Sequence, residues 1–235
     1  MDNLEISLVI PVYNSEKTIA EVVERSKATL GEFEFEIILV NDHSSDKSIE
    51  IIKELEKKDP RVMVVDLRKN IGQQGAIKRG IELAKGNYVI TMDDDLEQKP
   101  EEMTLLIQKI QEGFDVVYGR PCRKGYPSYR EFGSKLVDGF FTLFMGKPPK
   151  VKVGSFRIMN RRIAETIAKD NTQFVYITAI ILGATKDMAN VPVSYKERPY
   201  GKSNYSLKKL GMLFVKLFFN YGIKKKLGSN SSRKR

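Results

Sequence analysis

Three consecutive carboxylates, Asp93-Asp94-Asp95, carry the most specific chemistry in the 235-residue chain. They follow the apolar run Tyr88-Val89-Ile90-Thr91-Met92. Adjacent like charges repel, and a fold tolerates them best where a cation or a cationic substrate group neutralises them. Asp93 and Asp95 can face one way while Asp94 faces another. Hard oxygen ligands, few in number and without His or Cys nearby, suit Mg²⁺ or Mn²⁺ completed by water and a substrate diphosphate. The alternative is a solvated acidic turn that caps a helix opening at Pro100. A metal on a diphosphate has a definite use, because it neutralises charge building on a leaving group as the bond to an attached carbon or phosphorus atom breaks. Such a site also needs a pocket for a base or nucleoside, and Asp42 is placed to accept hydrogen bonds from a ring N–H.

The elements that must position these groups follow from hydropathy. The first half alternates short β-branched runs with helical patterns, the signature of a parallel sheet with crossover helices. Strands are expected near Ile6–Val12, Glu36–Val40, Val62–Asp66, Tyr88–Met92 and Val116–Gly119. A helix capped by Ser15 would bury Ile19, Val22, Val23 and Leu30. Further helices are expected over Gln74–Lys85 and over Pro100–Gln111, where proline suits a first turn. Beyond Gly119 the alternation breaks down. Helices are expected at Ser134–Met145, Arg161–Lys169 and Phe174–Leu182, strands near Phe156–Met159 and Ala189–Tyr195, and a last amphipathic helix over about Tyr205–Tyr221. Four polar clusters, at Pro11–Asn14, Asn41–Asp46, Asn70–Gln74 and Asp93–Asp95, come at or just after the carboxyl ends of expected parallel strands. In an open α/β sheet those ends form one ligand-binding rim. Any one cluster could be an ordinary turn; four in succession point to one crevice.

Composition bounds the rest. With 41% hydrophobic and 30% charged residues the chain is globular and long enough for a substantial core. One Cys, Cys122, excludes an intramolecular disulfide, and with one His, His43, it excludes a Cys/His zinc cage. A reducing cytoplasm is the expected compartment. No signal-peptide pattern opens the chain, and the longest uncharged run, Asn171–Thr185, is too short and polar to span a bilayer. The net charge of +10 is localised: 11 Lys and Arg against 2 acids lie within 120–162, and 6 against none within 224–235, which leaves the remainder at −5. Two basic zones on an acidic body suggest an anionic partner, whether phosphorylated substrate, membrane surface or nucleic acid. For the tail, a solvated terminus is an equal alternative.

Several stretches together resemble the family 2 glycosyltransferases of GT-A fold: Val9-Ile10-Pro11-Val12-Tyr13-Asn14, Val40-Asn41-Asp42-His43-Ser44-Ser45-Asp46 and the triplet. Within that family the likeness is to polyprenyl-phosphate (dolichol- or undecaprenyl-phosphate) sugar transferases. It rests on Asn70-Ile71-Gly72-Gln73-Gln74-Gly75-Ala76, the triplet with its continuation to Glu102, Gly154-Ser155-Phe156-Arg157, and Arg198-Pro199-Tyr200-Gly201-Lys202-Ser203-Asn204-Tyr205. The resemblance implies an α/β fold with a Rossmann-like, mostly parallel sheet, flanking helices and a C-terminal amphipathic helix. The catalytic domain would span 1–204, with a nucleotide-sugar half at 1–119 and an acceptor half at 120–204, and residues 205–235 would form the helix and basic tail. Pro11, Tyr13, Asn14 and Asp42 would hold the nucleoside, with Gly72 and Gln73 beside it and Asp94 and Lys202 also on the nucleotide sugar. Asp93 and Asp95 would hold Mg²⁺ or Mn²⁺ and the diphosphate, and with Arg120 and Arg198 would form the catalytic set. Arg123, Arg130, Ser203 and Tyr205 would meet the acceptor phosphate.

Departures shape the expected reaction. Asn41 stands where many members have Asp and His43 where many have Gly, so His43 is read as a turn residue rather than a base. Ser155 stands where some members carry an Asp that could act as base. Its loss matters less for a phosphate monoester, with a second pKa of about 6, than for a hydroxyl. The expected activity is therefore inverting transfer of a sugar from a nucleotide diphosphate sugar to a polyprenyl phosphate. Rival expectations are the same fold acting on a saccharide or protein hydroxyl, nucleotidyl transfer, which lacks its Gly-rich basic loop here, and a basic nucleic-acid-binding module, which the acidic rim opposes. Many members continue into two membrane-spanning helices where this chain has Phe218-Phe219-Asn220-Tyr221 and a basic tail; the helices are either naturally absent or removed. The last helix and tail are expected at an anionic membrane surface on the cytoplasmic face. Packing of that helix on the domain, a homodimer or a membrane partner subunit stays open.

Overall fold

The computed structural model describes residues 5–122, 138–194 and 215–222. Seven strands form one sheet: β1 (Ile6–Val12), β2 (Phe35–Asn41), β3 (Val62–Asp66), β4 (Tyr88–Thr91), β5 (Val116–Pro121), β6 (Arg157–Asn160) and β7 (Met188–Val193). Their spatial order is β3-β2-β1-β4-β6-β5-β7. All seven residues of β1 are buried, as expected of a central parallel strand covered on both faces. Alternate side chains go to opposite sides. Ile6, Leu8, Ile10 and Val12 join one core layer under α1 (Ile19–Leu30), α2 (Ser48–Lys58) and α4 (Met103–Ile110). Val9 joins the other, under α3 (Gln73–Leu83), the helical residues 138–145 (α5), α6 (Arg161–Lys169) and α7 (Ile177–Ala184). Helix α3 sits close because of Gly80, where a Cβ would come within 2.3 Å of a Val9 methyl.

Strands β1 to β4 are mutually parallel, as the alternation of strand and helix patterns implies. The exception is β6, which runs antiparallel between β4 and β5. This reversal brings the start of β6, rather than its end, to the carboxyl ends of β4 and β5. Gly154 and Ser155 therefore reach the same rim as the acid triplet.

Several sequence expectations are corrected. The Ser15 side chain does not cap α1; its carbonyl accepts the N–H groups of Thr18 and Ile19 at 3.0 Å each, and the helix opens after Thr18. The Pro100 segment begins as a 3₁₀ turn, Pro100–Glu102, before α4. The helix expected from Phe174 starts at Ile177. Helix α2, which the sequence expectations omit, packs Ile49, Ile51, Ile52 and Leu55 on the core. The early part of the 134–145 helix and most of the 205–221 helix lie outside the described residues. Residues 215–217 are helical and Phe218–Gly222 form a π-turn. Among the described residues no helix is long and apolar enough to cross a membrane.

Candidate active site

The sheet order reverses between β1 and β4, so the loops leaving these adjacent strands diverge and open a crevice at the switch point. The four polar clusters meet there through hydrogen bonds. The Asp94 carboxylate crosses from β4 to the β1 loop, accepting the Tyr13 backbone N–H at 3.0 Å and the Ser15 hydroxyl. The Asn14 N–H donates to the Ser44 hydroxyl at 3.1 Å, and its side-chain oxygen accepts the Ser45 N–H at 2.8 Å. Asp42 accepts the N–H groups of Ile71 and Gly72 at 2.7 and 2.9 Å. Gln73 then donates from Nε2 to Asp93 at 2.6 Å.

Local backbone shape serves the same end. Asn14, His43 and Leu96 adopt left-handed φ values of 53°, 60° and 61°, so three of the four clusters, or the segments next to them, turn sharply where they leave the sheet. Gly72, at φ 82° and ψ 157°, occupies a region open essentially to glycine alone. That conformation aims its N–H at Asp42 and starts α3 with Gln73 facing Asp93.

Within the acid triplet Asp93 and Asp94 turn to different neighbours. Asp93 is held by neutral donors: Gln73 Nε2, Gln98 Nε2 at 2.7 Å and the Ser155 hydroxyl at 2.6 Å. The Gln98 side-chain oxygen accepts the Asp93 N–H at 3.0 Å. Asp94 points away toward β1. Burial pushes its carboxyl up to about 6, against the Ser15 and Tyr13 donors that favour the charge, and the neighbouring Asp93 and Asp95 charges add to the rise. Asp95 accepts the Glu97 N–H at 3.0 Å.

The donor set fits a hard divalent cation, since Asp93 and Asp95 present oxygen alone at the rim. Among the described residues no group of three or more His, Cys, Asp or Glu side chains converges to hold a metal unaided. Mg²⁺ or Mn²⁺ there would need water and ligand oxygens to complete its shell.

Of the other residues singled out from sequence, Pro11 is buried near the end of β1, and Tyr13, in the loop that follows, is 52% exposed. Arg120 is exposed near the end of β5, which the intervening β6 leaves parallel to β4 and hence on the same rim. Arg123, Arg130, Arg198, Lys202, Ser203 and Tyr205 lie outside the described residues. Gln98 and Thr91 are structural members of the site that the motifs did not single out. The antiparallel insertion of β6, invisible to hydropathy, is what brings Ser155 to Asp93.

A helix-covered, mostly parallel sheet with carboxylates at its switch point defines an α/β domain of GT-A type. The family model described as Glycosyl transferase family 2 matches residues 7–168, and the chain belongs to that family. It is 32% identical over 214 residues to YkcC, an uncharacterized glycosyltransferase of Bacillus subtilis (strain 168), covering 88% of this chain and 65% of that protein. It is also 32% identical over 209 residues to an undecaprenyl-phosphate 4-deoxy-4-formamido-L-arabinose transferase of Photorhabdus laumondii, covering 88% and 64%. The chain thus spans a little under two thirds of the length of these relatives. Among solved structures, glucosyl-3-phosphoglycerate synthase from Mycobacterium tuberculosis, in complex with Mn²⁺, UDP and phosphoglyceric acid, matches with a TM-score of 0.66 at 18% identity, covering 93% of this chain and 79% of that one. S. aureus TarS matches at 0.57 and 19% identity, with 93% and 40% covered. At such identities the likeness establishes the fold.

Proposed function

We propose that this protein transfers a sugar, with inversion, from a nucleotide diphosphate sugar to a polyprenyl phosphate. The observation that carries the reading is the Asp93-Asp94-Asp95 triplet, tied at the switch point to the nucleoside-side loops by Tyr13, Ser15 and Gln73. Support for the acceptor comes from the undecaprenyl-phosphate transferases among the relatives.

In this reading Tyr13 offers its exposed ring to the base, and Asp42 orders the 70–72 turn that walls the nucleoside side. Gly72 and Gln73 carry that order to Asp93. A bound Mg²⁺ or Mn²⁺ would supply charge neutralisation for the departing diphosphate at Asp93 and Asp95. An oxygen of the acceptor phosphate attacks the anomeric carbon as the bond from that carbon to the diphosphate oxygen breaks. The nucleoside diphosphate leaves with that electron pair. A phosphate monoester is largely ionised near neutral pH, so no protein base is required. This suits a site in which Ser155 donates its proton to Asp93 rather than accepting one from substrate. Arg120, on the same rim, would meet the acceptor phosphate, with Arg123, Arg130, Arg198, Lys202, Ser203 and Tyr205 assigned by resemblance to the phosphates.

The same reading places the protein peripherally at an anionic membrane surface, where such an acceptor resides. Leu143, Phe144, Val215 and Phe219 are exposed, and the basic 224–235 tail follows. The discriminating experiment offers UDP-, GDP- and dTDP-sugars with a short-chain polyprenyl phosphate and Mg²⁺ or Mn²⁺, alongside Asp95→Ala. A metal-dependent lipid-phosphate-sugar product that the variant does not form supports the reading. Donor hydrolysis without transfer redirects it to a saccharide or protein hydroxyl, and failure to bind any nucleotide sugar refutes it.

A further inference from the structure

Among the described residues two cations are fully buried, Lys147 and Arg157, and they are treated differently by their surroundings. Lys147 is neutralised locally, by the carbonyls of Pro148 and Val151 and by Asp138 at 3.2 Å. Arg157, at 1% exposure, has no carboxylate partner among the described residues. Its guanidinium donates to the Thr91 hydroxyl from Nε at 3.1 Å and reaches the Thr178 hydroxyl at 3.4 Å. The buried Tyr118 hydroxyl, on the neighbouring strand, has no hydrogen-bond partner among the described residues. A buried charge is costly unless hydrogen bonds hold it, so these contacts matter to the guanidinium and to the groups that accept from it.

The sheet register sets Arg157 directly behind the acid triplet. Because β6 lies between β4 and β5, Arg157 pairs with Thr91 on one side and Tyr118 on the other, two residues behind Asp93. From the guanidinium a chain of contacts runs to the rim. Thr91, which accepts from Arg157, donates to the Ser155 carbonyl at 2.5 Å. The Ser155 hydroxyl donates to Asp93, and Gln98 Nε2 bridges Asp93 and Ser155, at 2.7 and 3.0 Å. Burial pulls the Arg157 guanidinium down from its ordinary value, while Tyr118 and then the Asp93 charge oppose the change.

We propose that Arg157 is a positioning residue for the donor-diphosphate site: its contacts through Thr91 and Ser155 hold the Asp93 carboxylate in one orientation toward the cation. The proposal rests on the donor-site reading above. Arg157 would act without touching substrate.

The test is Mn²⁺ binding followed by electron paramagnetic resonance titration, with Mn²⁺ alone and with UDP added, on proteins whose folded fraction is established by circular dichroism. Arg157→Met is expected to weaken Mn²⁺ binding about 10- to 100-fold, the range for partners that orient a metal ligand. Arg157→Lys, which still offers a donor toward the Thr91 hydroxyl, should recover part of the loss. Ser155→Ala should weaken binding by itself, and the double variant should bind no more weakly than the worse single one, since both act on the same carboxylate. Should Arg157→Met not fold, Thr91→Val breaks the chain one step closer to the site at nearly constant volume and is expected to show the same loss. Mn²⁺ affinity within about twofold of wild type in a folded Arg157→Met or Thr91→Val protein, or additive losses in the double variant, overturns the proposal and leaves Arg157 a packing residue. If the wild-type protein binds neither Mn²⁺ nor UDP, the donor-site reading itself fails.

Discussion

Replacing Asp42 with Asn probes how the nucleoside-side turn is held. Asp42 is 3% exposed, and its two oxygens accept the adjacent N–H groups of Ile71 and Gly72 at 2.7 and 2.9 Å. Asn is isosteric, so no cavity forms. It keeps one oxygen, but as a neutral acceptor, and turns an NH₂ group onto the other backbone N–H. A hydrogen bond to a charged group contributes about 1.5–3 kcal/mol and a neutral one about 1 kcal/mol, while the orphaned N–H costs about 1–3 kcal/mol if it stays dry. Ile71 is 44% exposed, so water can reach this edge and the cost should fall at the low end. The expected loss is about 2 kcal/mol, which lowers Tm by roughly 4–8 °C for a domain of this size. Thermal melts and urea titration read that loss directly. Amide hydrogen exchange is more specific: the Ile71 and Gly72 N–H groups should exchange about 30-fold faster, the equivalent of that energy at 1.4 kcal/mol per factor of ten. A Tm within about 1 °C of wild type, with unchanged exchange at these two amides, would refute the idea that Asp42 orders the turn.

Two further perturbations address the triplet and the sheet. Burial raises the Asp94 carboxyl to about 6, so its ionisation in the folded protein opposes folding: stability present in acid is lost as pH rises from about 4 through about 6. Asp94→Asn, which still offers an acceptor to Tyr13 or Ser15, should therefore be more stable than wild type by about 1–2 kcal/mol at pH 8 in metal-free buffer, and the difference should shrink to nothing near pH 4 in melts across that range. Equal Tm differences at pH 8 and pH 4 would contradict this origin. Gly80→Ala would set a Cβ 2.3 Å from a Val9 methyl and 3.1 Å from one of Val40, so α3 must lift from β1 and β2. Overpacking of this kind costs about 1–3 kcal/mol, and urea denaturation should show it as a lower midpoint with an unchanged slope.

The amino-acid sequence by itself determined the class of the fold, because short strand-like runs such as Ile6–Val12 alternate with helical patterns, as crossover connections in a parallel, helix-covered sheet require. It also determined that the four polar clusters share a rim, since parallel strands all end on one side. Helix α2 carries the same kind of signal, with Ile49, Ile52 and Leu55 at helical spacing among charged residues. What only the tertiary structure decided was strand direction and neighbourhood in the second half. Hydropathy is the same whichever way a strand runs, so nothing in Phe156–Met159 announced that β6 would enter antiparallel between β4 and β5. That placement sets Ser155 on Asp93 and seals Arg157 beneath the acid triplet. The divided duties of the carboxylates are likewise tertiary: Asp94 is spoken for by β1, and Asp93 by Gln73, Gln98 and Ser155, contacts between residues 5 to 81 positions apart that no local pattern encodes.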